Sequence, residues 1–212
     1  MVKKTDISLP VIRRLPRYYR FLRDLMQEGV THISSADLSR QMGLTASQIR
    51  QDLNCFGGFG QQGYGYQVEP LYREIGRILG VQRRTEVILI GVGHVGHAIA
   101  RQMDFTRLGM RLTALFDVSP ALIGTQVGGL TIRPETELEA FCLEKKPKAA
   151  LLCVPDRAAP DIVERLTVLG VTGFWNFTHY DIAHHHPGTV AENVHLEDSL
   201  MVLSYRLKQP RR

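Results

Sequence analysis

The chain has 212 residues, of which 44% are hydrophobic and 22% charged, with a formal net charge of +5. That is enough chain for one large or two small folded domains, and no stretch approaches the eighteen or so apolar residues of a membrane span, so a cytoplasmic globular protein is expected. Three cysteines at wide spacing, Cys55, Cys142 and Cys153, fit neither a disulfide framework nor a zinc knuckle.

The charge is uneven. Residues 1–80 hold 11 Lys+Arg against 7 Asp+Glu (+4), whereas residues 81–212 hold 15 against 14 (+1). A basic segment joined to a near-neutral one points to a polyanion-binding module attached to a second function.

From Pro10 the apolar residues recur at helical spacing, with Leu15, Tyr18 or Tyr19, Leu22, Leu25 and Met26 on one side and Arg13, Arg17, Arg20 and Arg23 largely elsewhere. Because proline is tolerated near a first turn, the helix proper is expected to start at Pro16 and to end at Gly29. A second helix is expected from Ser34-Ser35 to Gly43. A third starts at Thr45, with Gln48 placed to reach back as a capping-box partner, and runs to Phe56 with Ile49, Leu53 and Phe56 on its core side.

Only Gly43-Leu44 separates the second and third helices, which makes a helix-turn-helix whose second helix reads the major groove. The run from Gly57 to Val68 alternates glycines with aromatics and reads as a β-wing. The same helices could form a small oligomerisation domain, but there the polar face of the third helix and the wing would have no work. Glu69 to Leu79 reads as a linker helix closed by Gly80.

The strand-forming run Ile88-Leu89-Ile90 then leads into Gly91-Val92-Gly93-His94-Val95-Gly96, and an amphipathic helix is expected from Val95 to Met103. Glycines at the first, third and sixth positions after a strand are the dinucleotide fingerprint: one for the tight turn, one for approach of the pyrophosphate, one for close helix–strand packing. Phosphates then sit on free N–H groups at a helix N-terminus. Such spacing alone is common; the next strand, Leu112 to Asp117, strengthens it by ending in a carboxylate about twenty residues past the last glycine. An acid there accepts from both ribose hydroxyls and repels a 2′-phosphate, which favours NAD(H). The plainer alternative is that Asp117 caps the turn before Pro120.

Residues 123–130 form a glycine-punctuated excursion, and Glu135 to Lys145 is helical. Ala149 to Val154 is a buried parallel strand ending at Pro155, Arg157 to Leu169 its crossover helix, and Thr172 to Phe177 the next strand. Strand and helix alternate from Glu86 onward, so this part is a doubly wound α/β sheet of Rossmann type, with Asp156, Asn176 and Thr178 at the ligand-facing strand ends.

His184-His185-His186 reads as a solvated loop, since adjacent residues cannot all face one metal ion, and His94 and His97 as polar fill. Leu196 to Leu207 is an amphipathic helix with Leu196, Leu200, Leu203 and Leu207 as its stripe; it must bury that stripe on its own sheet or on a second subunit. No convincing catalytic pair for a dehydrogenase is found.

Taken together, Arg14-Leu15-Pro16-Arg17-Tyr18-Tyr19-Arg20-Phe21-Leu22, Gln48 to Leu53, Phe56 to Gly60, Gly63 to Tyr66, Gly91 to Gly96, Phe116-Asp117, Val154-Pro155 and Asn176-Phe177-Thr178 resemble the Rex family of redox-sensing transcriptional repressors over nearly the whole chain. The resemblance implies a winged-helix domain with its following helix (1–80), an NAD(H)-binding Rossmann domain (81–193) and a C-terminal helix swapped between the subunits of a homodimer (194–212). It implies a non-enzymatic regulator, bound to pseudo-palindromic double-stranded DNA operators when NAD⁺ prevails and released by NADH.

By position, Arg17, Ser47, Gln48, Arg50 and Gln51 face DNA, with Tyr64 and Gly65 at the wing tip. The cofactor contacts are Gly91, Val92, Gly93, His94, Val95, Gly96, Asp117, Pro155, Asn176 and Phe177. The chain departs from the family pattern at Gln51, Gln61 and Gln62, where many members are basic. It departs again at His195, where many members have an Asp that pairs with the arginine matching Arg14. The rival reading is an NAD-dependent oxidoreductase with an accessory helical domain; a third is a non-catalytic nucleotide-binding scaffold.

Overall fold

The computed structural model describes residues 7–57, 60–61 and 64–208, without the side chain of Gln61. The chain divides into two compact units, Met1–Gln82 and Arg83–Arg212. Gly58, Phe59, Gln62 and Gly63 of the expected wing, Lys3 and Lys4, and the Arg211-Arg212 tail lie outside the described residues.

The first unit begins with α1 (Leu9–Gln27). It starts about two turns before Pro16, because Pro10 occupies the first turn and Pro16 lies inside the helix. An interior proline forfeits one hydrogen bond, here to Ile12, at a cost of about 3 kcal/mol. Val11, Leu15, Tyr18, Leu22 and Leu25 are buried on both sides of it, and each buried side chain of this size stabilises by roughly 1.5–3 kcal/mol, so the helix runs through. Met26, expected in that stripe, is exposed.

A two-residue strand not foreseen in the sequence, β1 (His32–Ile33), precedes α2 (Ser35–Met42). Ser34 caps α2 by accepting from Asp37 N at 3.0 Å, and Gly43 ends it at φ 61°. Next come α3 (Ala46–Asn54), β2 (Gly60–Gln61), β3 (Gly65–Gln67) and α4 (Val68–Leu79), with the strands ordered β1-β3-β2. The expected linker is no linker: Val68, Leu71 and Ile75 of α4 share a core with Leu15, Tyr18, Leu22, Ile49 and Leu53, and Tyr72 stacks on Tyr19 with ring centroids 4.4 Å apart.

In the second unit β4 (Thr85–Ile90) leads to α5 (His94–Gln102), β5 (Met110–Asp117), β6 (Gln126–Val127), β7 (Leu130–Pro134), α6 (Leu138–Lys145) and β8 (Ala149–Leu152). Then follow α7 (Ala159–Val168), β9 (Gly173–Asn176), α8 (Ile182–His185), β10 (Val190–Asn193) and α9 (Leu196–Leu207). The sheet order is β10-β9-β8-β4-β5-β7-β6, parallel except for the β6–β7 hairpin. The chain winds outward from β4 through β5 to β7, returns to β8 on the other side, and so leaves a switch point between β4 and β8.

One sheet face packs Ile88, Ile90, Phe116 and Leu152 against Phe141 of α6 and Ile162, Val163 and Leu166 of α7. The other packs Val87, Leu89 and Leu115 against Ala100 of α5, Phe105 and Val127. The glycine-punctuated excursion is the β6–β7 hairpin, turned by Gly128 and Gly129 at φ 59° and 81°. The histidine run is not a loop: Asp181 caps α8 by accepting from His184 N at 3.2 Å, and His186 Nε2 lies 3.0 Å from the Tyr180 hydroxyl. None of α9's residues is buried in its own chain.

Candidate cofactor cradle and nucleic-acid face

The fingerprint turn sits at the carboxyl end of β4, at the switch point. Gly91 adopts φ +88°, and a Cβ there would overlap the Cys153 carbonyl oxygen at the end of β8. A Cβ at Gly96 would run into the Gly91 carbonyl and lie 3.1 Å from Leu89 Cδ2, so only glycine lets α5 close on β4. Gly93 differs: no protein atom lies within 4 Å of a Cβ built on it, so what a side chain would fill is the space in front of the α5 N-terminus. His97 N begins the helical bonding at 2.8 Å from Gly93 O, and the N–H groups of His94, Val95 and Gly96 have no partner within the helix. His94 and Val95 are exposed. This is a backbone cradle suited to a pyrophosphate.

Asp117 ends β5 beside that turn and is 9% exposed. Its Oδ2 accepts from Val92 N at 2.6 Å and its Oδ1 from Ser119 N at 2.8 Å. The carboxylate thus does cap the turn before Pro120, and it also ties down the fingerprint loop. Each oxygen keeps a second lone pair that a sugar hydroxyl can use.

Across the switch point, Pro155 opens a 3₁₀ turn and Phe177 packs edge-on to Trp175, with ring centroids 4.7 Å apart. Asn176 is fully buried and all four of its hydrogen bonds are internal. It donates to Tyr180 O and Asn193 Oδ1, both at 2.9 Å, and accepts from Thr178 N and Oγ1 at 3.0 and 2.7 Å. Asn176 thus shapes the loop after β9, and Phe177 is the side chain of this pair left to face a ligand. Burial pushes the thiol of Cys153 up to about 12 and that of Cys142 up to about 11, which leaves both unreactive at neutral pH.

In the first unit Ser47, Arg50 and Gln51 are exposed on α3, Arg17 is exposed on α1, and Tyr64 is 77% exposed at the wing. Arg50 Nη1 donates to Ser35 Oγ at 3.1 Å, which ties its guanidinium to α2 across the helix-turn-helix. Gly65 takes φ +75° where a Cβ would overlap the Ile33 carbonyl, so the wing can join β1 only through glycine.

Gln48 is turned inward. Thr45 Oγ1 does cap Gln48 N at 3.1 Å, but the expected reciprocal arm is missing because Gln48 Nε2 donates to Asp52 Oδ1 at 2.9 Å. Asp52 is the residue that sequence reasoning passed over. It is fully buried and accepts from Arg14 Nε and Nη2 at 2.6 and 2.7 Å and from the Tyr18 hydroxyl at 3.0 Å. Burial pushes its carboxyl up, but the bonds from Arg14, Gln48 and Tyr18 outweigh that and hold it below the ordinary carboxylate range. The signal was an acid three residues after Ile49, on the core side of a helix. Arg14 is therefore committed to α3 of its own unit, while His195, the other half of the implied pairing, rests on the Thr178 carbonyl at 3.2 Å.

Residues 6–54 match a family described as "Putative DNA-binding protein N-terminus", and residues 82–180 one described as "CoA binding domain". The redox-sensing transcriptional repressor Rex of Caldicellulosiruptor saccharolyticus is 45% identical over 99% of this chain and 95% of its own. That of Clostridium novyi is 47% identical over 98% of each. The chain belongs to the Rex family.

Solved Rex structures carry the likeness into three dimensions. RSP in complex with β-NAD⁺ and operator DNA superposes with a TM-score of 0.89 at 45% identity, covering 96% of this chain and 94% of that one. RSP in complex with β-NADH gives 0.87 at 42% identity, covering 96% and 95%. Both units thus have the Rex architecture, a helical DNA-binding domain and a Rossmann-like parallel sheet. Among the described residues, no helix is long and apolar enough to cross a membrane.

Proposed function

We propose that this chain is a cytoplasmic, non-enzymatic repressor that reads the NADH/NAD⁺ ratio and converts it into occupancy of a pseudo-palindromic operator. The observation that carries it is the union, in one polypeptide, of a dinucleotide cradle at Gly91–Gly96 and a capped helix-turn-helix with Arg50 outward. Relatives solved with operator DNA, NAD⁺ and NADH support the same pairing.

When bound, the dinucleotide brings a nicotinamide that is cationic in its oxidised form and neutral in its reduced form. The backbone N–H groups of His94, Val95 and Gly96 would hold the pyrophosphate, and Asp117 the adenosine ribose. Pro155 and Phe177 would present apolar surface to the ring, where burying a charge costs more than burying the neutral form, so NADH binds better.

The chain would act as a homodimer. Leu200, Leu203, Leu207 and Tyr205 of α9 are each more than half exposed, an apolar stripe without cover in its own chain. The same unit offers an apolar cavity of ≈ 340 Å³ lined by Val87, Phe105, Leu108, Leu151, Trp175 and Val190. A second copy's α9 is the occupant that satisfies both. Such a dimer carries two recognition helices, which half-sites one helical turn apart require. A near-complete switch takes about 5.5 kcal/mol of differential affinity. Calorimetric titration tests the reading: NADH is expected to bind more tightly than NAD⁺, and equal affinities overturn it.

A further inference from the structure

The loop after β9 holds a group of titratable side chains that neither the cradle nor the nucleic-acid face uses. His179 N donates to Asp156 Oδ1 at 2.9 Å, its Nδ1 lies 3.0 Å from Asp156 Oδ2, and its Nε2 lies 2.6 Å from Glu197 Oε1. Asp156 belongs to the 3₁₀ turn that Pro155 opens, and Glu197 to the first turn of α9. One imidazole therefore spans from the rim of the cofactor site to the base of the terminal helix.

A neutral imidazole has one N–H. With a carboxylate at each ring nitrogen, the neutral form satisfies one partner and aims a lone pair at the other, whereas the imidazolium satisfies both. The remaining groups around it are His195, stacked on His179 with centroids 5.0 Å apart, and Asp198, whose Oδ2 lies 3.6 Å from His195 Nδ1. His195 Nε2 faces the Thr178 carbonyl, so that nitrogen carries a hydrogen.

We propose that His179 is a positioning residue, a proton-dependent clamp that fixes the base of α9 to the rim of the cofactor site and makes the response to NADH tighter in acid than in alkali. The proposal rests on the reading of Pro155 as part of the nicotinamide site. The two carboxylates, Asp156 first, hold the His179 titration above its ordinary value. A group raised in this way contributes fully below the ordinary histidine range and is lost as pH rises through its raised value. Two exposed ion pairs of ordinary strength correspond to roughly a three- to tenfold change in affinity.

The test uses the full-length protein, with NADH as the titrant, at about pH 6 and about pH 8.5, values that straddle the histidine range. The wild type is expected to bind NADH three- to tenfold more weakly at the higher pH, and His179→Gln to show the weaker value at both. His195→Gln, which leaves both arms of the clamp, is expected to keep the wild-type profile. Glu197→Gln, an exposed change that removes only the α9 arm, is expected to lose part of the pH response even if the His179 variant fails to fold. Hydrogen exchange of residues 196–199, corrected for intrinsic pH dependence, reads the clamp without cofactor: it should speed up in alkali in the wild type and be fast throughout in the variant. A His179→Gln profile parallel to wild type in both readouts overturns the clamp. Failure to take up NADH at any pH overturns the cofactor reading instead, and the exchange data still decide the clamp.

Discussion

Asp52→Asn is the most informative change to the DNA-binding unit, because the carboxylate is the point at which α1 and the recognition helix are joined. Its two oxygens take four donors, two of them from the Arg14 guanidinium. An amide in that place accepts through one atom and presents N–H groups through the other, so one arm of the guanidinium meets donors, and Arg14 keeps its charge without a counter-charge. Breaking a buried pair by removing one partner costs about 3–5 kcal/mol. The Arg14 side chain is 27% exposed, so water takes up part of the stranded charge and the lower end, about 3 kcal/mol, applies. With a urea slope of roughly 1 kcal/mol per molar for a unit this small, the midpoint should fall by about 2–3 M. Both units contribute to the helical circular dichroism, so the early loss of part of that signal marks this unit, while the single tryptophan, Trp175 on β9, reports the other and should not move. The Asp52 titration is depressed on folding, so its contribution is present above the ordinary carboxylate range and lost as pH falls through the lower, folded value. The acid limb of wild-type stability should therefore flatten in the variant. A midpoint shift below about 0.5 M, or a Trp175 transition that moves with it, refutes the reasoning.

Three further outcomes follow from the same geometry. Gly96→Ala forces a methyl onto the Gly91 carbonyl, a backbone atom that cannot yield cheaply; overpacking of about 3 kcal/mol should lower the Tm of the second unit by roughly 10 °C and abolish NADH uptake, and unchanged binding contradicts the cradle. Asp117→Ala frees the Val92 and Ser119 N–H groups and removes the repulsion of a 2′-phosphate, so calorimetry should show NADH affinity down about tenfold and the gap to NADPH narrowed. Leu203→Glu should give monomers in sedimentation velocity where the wild type gives the proposed dimer, without loss of the monomer fold, because Leu203 is 51% exposed in its own chain.

What was legible in the sequence was local. The run Val87 to Ile90 is buried on both sides, as an unbroken apolar strand must be, and the glycines of the fingerprint meet backbone at the places the motif requires. The Ser34 and Thr45 caps follow from short-range chemistry. What was not legible depends on distant partners. β1 is two residues long and exists through its pairing with β3; β10 forms by adding to β9. Pro16 marked a helix start only until the burial of Val11 and Leu15 on the far side of it outweighed one lost hydrogen bond. Gln48 reads from the sequence as facing DNA, and Asp52 has no role there; Arg14 and Tyr18, 38 and 34 residues before Asp52, turn them into a buried brace.

The central claim is that one cofactor's redox state governs DNA occupancy. The direct measurement is fluorescence anisotropy of a labelled palindromic duplex held with the protein at fixed total nicotinamide while the NADH fraction is raised. Anisotropy should stay high under NAD⁺ and fall cooperatively as NADH replaces it, with no consumption of either form. Anisotropy that is indifferent to the NADH fraction, in protein shown to bind NADH, contradicts the account.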